Sequence, residues 1–540
     1  LSGVSLDDSD ERFADRKTGG VSTALYTLSL MKTTIALFVC WGLASASPVH
    51  GSPSTPAELT ARIDRHIAAR WEAAHVAPAR TADDRIFARR VFLDLLGRIP
   101  SVAEVRAFQE DTSLDKRARL VARLVDSPLH VRHMAVFWRK QWVPQAETPQ
   151  FALLADELDV WLASRLRERM PYDRIVRELI SVSPVRADRT TDHGATPTAF
   201  LAAGEFKPEN LAANTTRAFL GINLDCAQCH NHPFARWTQE EFWQTAAFFA
   251  RPKTTGSEPA LLRIDIPNTK QSVGPKLLTN PQPDWPEALR DETGRTVLAN
   301  WLTSKSNPYF ARNAVNRVWA ELLGTGLIEP LDDLSSENPA SHPELLDELA
   351  TAFVDSGFDL KFLTTAIVLS RAYQLSSSGP SGDAPLDERL FARAAVRGLS
   401  GEQLHDSLRV AAGLRPDRDD LDPNVARERR AVVDRFRIER PGMAQRSILQ
   451  ALSLMNGSLT QELTDFARSP TLRAVAEAPF LDAADKIEAL FLATLSRPPT
   501  KEESVRLMNL IESSRDGEAK QLLADVFWAL LNSSEFNSNH

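Results

Sequence analysis

Cysteine is scarce in this chain, with three residues in 540, at positions 40, 226 and 229. A fold stapled by several disulfides is thereby excluded, because such scaffolds are cysteine-dense. Glycine, at 23 residues, lies below its usual share, and Leu, Ala, Arg and Glu dominate in its place. That balance excludes a collagen-like chain and favours helix over sheet. Positive charge is not in excess either: the formal net charge is -8, so there is no global basic field, and nucleic acid is not an expected partner. Nucleophile elbows, P-loops, dinucleotide fingerprints and H-E-x-x-H zinc motifs are all absent, which argues against the enzyme classes they mark and leaves enzymatic activity open. What is present is an ordinary globular composition, 43% hydrophobic and 25% charged, in a chain long enough for two or three domains with their own cores.

The sequence opens on Leu1 and reaches its first methionine at Met31, so residues 1–30 read as a mis-called start. From Met31 the text has the layout of a secretory signal peptide over residues 31–46: Lys32, a nine-residue apolar run from Ile35 to Leu43, then Ala44, Ser45 and Ala46 before the cleavage point. That run is too short to cross ~30 Å of hydrocarbon, so no transmembrane segment is expected after cleavage. The expected location is outside the cytoplasm: periplasmic, at the cell surface or secreted. Cys40 leaves with the signal, and the mature chain then holds only Cys226 and Cys229.

Residues 47–56 are rich in Pro and Ser and read as a linker. Helical patterning fills 57–250, with a break at Pro128, and resumes over 295–540 with loops at 377–386 and 413–444. Capping boxes mark helix starts at Ser101 with Glu104, Thr238 with Glu241, Ser341 with Glu344, Ser400 with Gln403, and Thr500 with Glu503. Glu209 to Leu220 reads as a helix with Gly221 at its C-terminal cap. Between 251 and 294 the helical period disappears, and only a short alternating piece at 261–266 suggests a small strand pair. The expected fold class is mainly α: two helical domains joined by a Pro/Ser/Thr-rich segment with minor β content.

Chemistry concentrates in CAQCHNHPF, Cys226 to Phe234. C-x-x-C-H is the attachment signature of haem c, in which two thiols form thioethers and the adjoining His230 becomes the proximal axial ligand. Haem attachment in bacteria follows export, so the leader and the motif support each other. Three other readings stay open. Three of Cys226, Cys229, His230 and His232 could hold zinc, the two thiols could form a disulfide, or the histidines could serve in packing alone. No methionine follows the motif until Met443, so a distal haem ligand would come from upstream, with His130, His133, Met134, Met170 and His193 as candidates. Phe242, Trp243, Phe248 and Phe249 stand at core-like intervals and read as hydrophobic core before porphyrin wall. A second constellation, Asp332, Asp333, Glu337 and His342, could bind a divalent cation or supply acid and base groups, while Ser341 as N-cap and Pro343 in the first turn fit a structural role. The Arg-rich run from Arg427 to Arg440 is interleaved with Glu428, Asp434 and Glu439 and reads as a solvated loop or helix face.

Several blocks together, RRVFLDLLGRIPSVAEVRAF (89–108), PYDRIVRELI (171–180), GEFKPENLAANTTRAFLGINLDCAQCHNHPFARWTQEEFWQTAAFFA (204–250), NPYFARNAVNRVWAELLGTGLIEPLDDLSSENPASHPELLDELA (307–350), SGFDLKFLTTAIVLSRAYQLSS (356–377) and FWALLNSSEF (527–536), carry a resemblance. They resemble a planctomycete-type secreted family that pairs a cytochrome-like domain of unknown function with a C-terminal domain of unknown function. The resemblance implies that Cys226, Cys229 and His230 are the haem-site residues, and it implies no catalytic activity. Asn231 stands where the family usually has Asp, which removes a negative charge beside any bound metal. The sequence therefore predicts a secreted cytochrome-like protein with haem c and an unidentified redox partner. The rival expectations are a surface-binding or scaffold protein with zinc or a disulfide at the same residues, and a metal-assisted hydrolase using the 332–342 loop.

Overall fold

The computed structural model describes residues 54–148, 151–182, 197–251, 261–279, 282, 291–378, 387–415, 422–437, 447–513 and 518–540. Its helices begin where short polar residues can absorb orphan amides. Ser101, Thr238, Ser400 and Thr500 each close the predicted reciprocal box with the residue three positions on. The helical run expected to break at Pro128 does so, as Lys116–Val125 and Pro128–Trp142, with Ser127 capping the second. Ser341 departs from expectation. The helix Pro343–Asp355 starts after His342 without a side-chain cap, and both the amide and the hydroxyl of Ser341 donate to the Leu327 carbonyl, at 2.8 and 3.2 Å. Ser341 is thus used to close the preceding loop.

The stretch 413–444, expected as loop, contains a helix, Pro423–Arg435. Its apolar period is invisible because Val432 is its one buried residue. Charge holds it instead: Arg429 donates to Asp406 at 3.0 Å, and Glu428 sits 2.9 Å from His405, both on the helix Gly401–Ala411. The described part of the Arg-rich run is therefore a packing face as well as a solvated one. Residues 438–440 lie outside the described residues.

The protein is mainly α. Among the described residues the sheets are two antiparallel pairs: Ile264–Asp265, inside the predicted alternating piece, with Ser272–Val273 beyond it, and Arg397–Gly398 with Ser538–Asn539. The described residues, from 54 onward, belong to one compact unit. Within it, the larger apolar cluster runs from Leu59 to Ala392 and spans both sides of the 251–294 segment. Tyr172 meets Phe310 at a ring separation of 5.2 Å, so an aromatic contact joins the two sides, and on the first side Trp142 meets Phe219 at 5.3 Å. Each such ring removed from water contributes roughly 1.5–3 kcal/mol. The smaller cluster gathers Leu399 to Phe536 with Leu93 and Ile99. No helix among the described residues is long and apolar enough to cross a membrane.

Candidate functional site

The motif is reached through an irregular helix end. The helix Pro208–Thr215 widens into a π-type turn, Thr216–Leu220, and stops at Gly221, whose φ is +64°. The widening has causes in side chains that draw carbonyls away from the helical ladder. Thr216 donates to the Ala212 and Ala213 carbonyls at 3.1 and 3.2 Å. From the helix Phe310–Leu323, Asn313 donates to the Ala218 carbonyl at 2.7 Å and Arg317 to the Arg217 carbonyl at 2.8 Å. Gly221 is required on two counts: its left-handed backbone, and a Cβ there would lie 2.5 Å from Leu334 Cδ1 and 2.9 Å from Asn313 Oδ1. Ile222 then pairs with Asp333 in an antiparallel bridge, and Leu334 N–H donates to the Gly221 carbonyl at 2.8 Å.

Beyond that brace, Asp225–Gln228 forms a 3-10 turn anchored by the fully buried Leu224 and Ala227. Cys226, Cys229 and His230 all face outward, and both cysteines are unpaired. Their backbone is secured from behind. Trp243 Nε1 donates to the Gln228 carbonyl at 3.1 Å, and Gln239 Nε2 reaches the Gln228 and Cys229 carbonyls at 3.3 and 3.0 Å. His230 Nδ1 lies 2.8 Å from the Asn231 carbonyl. A carbonyl only accepts, so Nδ1 carries the proton and Nε2 keeps its lone pair. His232 is used differently: its Nδ1 accepts from the Phe234 amide at 3.2 Å while its own amide donates to Trp237, closing the loop. Asn231 Oδ1 accepts the Gln239 amide at 3.0 Å, next to the start of the helix Gln239–Ala246. That contact needs an oxygen rather than a charge.

The structure brings Cys226, Cys229 and His230 onto one turn and leaves the other candidates elsewhere. Among the described residues no three His, Cys, Asp or Glu side chains are gathered as a metal site. The helix Pro128–Trp142 touches the π-turn at Trp142, through Phe219. His130, twelve residues away, lies about 18 Å back along the axis at ~1.5 Å per residue. It lines a cavity with Met134 and Met170, whereas His133 packs on Gly97 beside Asp406. Burial pushes both imidazoles down to about 4. His193 lies outside the described residues. The aromatic four, Phe242, Trp243, Phe248 and Phe249, are buried in the core.

The acidic loop disperses in the same way. Asp332 faces Arg217 at 3.9 Å, Asp333 is engaged through its backbone bridge, and Glu337 takes the Ser336 hydroxyl at 2.9 Å. His342 is buried against Phe391 and pushed down to about 4 by desolvation. The residues that sequence reasoning missed are Asn313 and Arg317, which hold the π-turn from 95 and 100 positions downstream. Their available trace was polar side chains standing in the apolar phase of a helix.

Residues 62–254 match the family model PSCyt2, described as a protein of unknown function (DUF1549), and residues 294–435 match PSD1, described as a protein of unknown function (DUF1553). No curated protein and no solved structure matches the chain. The motif turn lies in the first matched region, and the helix that braces it lies in the second. With an N-terminal PSCyt2 domain followed by a C-terminal PSD1 domain, the chain belongs to the two-domain family that its sequence blocks resemble.

Proposed function

We propose that this is an exported, cytochrome-like protein that holds haem c at Cys226 and Cys229, takes His230 as an axial ligand, and passes electrons to a partner outside the chain. The observation that carries the reading is the make-up of one turn. Two unpaired, exposed thiols stand beside an imidazole whose Nε2 lone pair is available, on backbone secured by Trp243 and Gln239. This donor set suits haem c: attachment needs two accessible thiols, and iron takes an imidazole whose other nitrogen is held by an oxygen acceptor. When bound, the group supplies one-electron chemistry. The chain's own part is to present the two sulfurs, orient His230 through the Asn231 carbonyl, and keep the turn from collapsing onto the core. Export is supported by the leader pattern from Met31, which lies outside the described residues.

The test is expression from Met31 in a host competent for periplasmic haem attachment, read by visible spectrum, pyridine haemochrome and haem-stained denaturing gel. A c-type haemochrome that disappears in Cys226→Ala with Cys229→Ala is the expected result. An exported, folded and colourless protein, with a disulfide or stoichiometric zinc at these cysteines, overturns electron transfer and leaves a binding or scaffold protein.

A further inference from the structure

We infer that the cavity enclosed by the helices Lys116–Val125, Pro128–Trp142, Ala152–Arg167 and Leu360–Leu369 is a binding site for a small organic anion with an apolar body. The cavity holds about 440 Å³, within the range of small-molecule sites. Its walls are apolar and adaptable, with Val125, Met134, Leu166, Met170 and Leu360 facing the space. Methionine thioethers conform to ligands of varied shape.

The floor and the mouth differ in a way that sets the ligand's polarity. At the floor, Thr364 is 2% exposed, and its hydroxyl has no hydrogen-bond partner. A helical threonine usually donates to the carbonyl four residues back; this one makes no such bond, and the residue lines the cavity. His130 beside it donates Nδ1–H to the Leu95 carbonyl at 2.9 Å, which leaves Nε2 as an acceptor. Floor groups of this kind suit a hydroxyl on the buried end of the ligand.

At the mouth stand Arg167, Arg169 and Lys361. Arg169 donates to Asp126 Oδ1 at 2.8 Å, and Lys361 shares that same oxygen, so two cations divide one carboxylate. Asp359 is occupied by the Lys361 and Phe362 amides, at 2.8 and 3.1 Å, as the cap of its helix. Arg167, Arg169 and Lys361 against Asp126 and Asp359 leave cation in excess at this end. An anionic group belongs at this end, with the apolar body between it and Thr364. None of this involves the cysteine turn, so the site stands or falls independently of haem.

Calorimetric titration of the full exported chain with 4-hydroxycinnamate, cinnamate and cinnamyl alcohol tests the inference. Saturable one-to-one binding is expected for both carboxylates, the hydroxylated one tighter, with the alcohol weaker by about tenfold or more. Arg169 is exposed and Lys361 partly so, and neither belongs to the apolar core, so Arg169→Glu with Lys361→Glu leaves that core intact. This variant is expected to lose carboxylate binding by about tenfold or more while its thermal transition is retained. Thr364→Val is expected to remove the preference for the 4-hydroxyl. No binding by either carboxylate, equal affinity for acid and alcohol, or carboxylate binding untouched by charge reversal overturns the site.

Discussion

At Asp225–His232 the side chains that could do chemistry face outward, while neighbouring residues fix the backbone beneath them. Around the helix Gly401–Ala411 the arrangement is inverted. His405 is 1% exposed and lies 2.9 Å from both Asp406 and Glu428, Asp406 receives Arg132 at 3.1 Å and Arg429 at 3.0 Å, and Glu402 pairs with Lys140 at 2.7 Å. Burial alone would raise these carboxyls, yet the surrounding cations hold Glu402 down at about 2 and Asp406 lower still. Both places concentrate histidine and potential charge, but in the second every group is consumed in joining helices. A cluster rich in reactive residue types is therefore a site only where something else does the holding.

The largest effect that sharpens this contrast is in stability. Asp406→Ala strands Arg132, Arg429 and His405 and is expected to lower unfolding free energy by about 3–5 kcal/mol. In the haem-free protein, Cys226→Ala with Cys229→Ala is expected to stay within about 0.5 kcal/mol of the parent. Urea unfolding compares them, and equal losses would dissolve the distinction. Histidine gives the next test. In the unfolded chain His130 takes a proton near 6.5, whereas burial holds the folded residue at about 4. The unfolded state therefore binds more protons between those values, and stability falls as pH drops through that window. At pH 4.5 the loss from this one group is about 2–3 kcal/mol relative to pH 7. His130→Asn, which keeps a donor for Leu95, is expected to remove that share of the slope, and an unchanged slope would contradict the assignment. The smallest effect returns to the motif. Gly221→Ala meets a left-handed backbone and Leu334 at 2.5 Å, for an expected loss of about 1–3 kcal/mol. Because the turn is fixed through that segment, Cys226 and Cys229 of the haem-free protein should also react faster with an aromatic disulfide. Unaltered thiol rates would show that the turn is held without it.

What could be read in advance follows from how local each cause is. Four capping boxes, the break at Pro128 and the stop at Gly221 are set by residues within a few positions, and each stands where the sequence predicts. The helix Pro423–Arg435 escaped because helical period is sought in apolar residues, and this helix is held by Glu428 and Arg429 against another helix. Ser341 misled for the converse reason: its local pattern is a cap, but Leu327, distant in sequence, takes both its donors. In the candidate site the exposed turn was legible from its spacing. The Asn313 and Arg317 clamp was not, since its partners are carbonyls, which every residue has.

That clamp also sets an order of events during synthesis. A chain made from its N-terminus presents Thr216–Leu220 and the cysteines well before Asn313, Arg317 and Leu334 exist to secure them. Until those later residues arrive, the π-turn lacks the donors that shape it, and Cys226 and Cys229 sit on pliable chain.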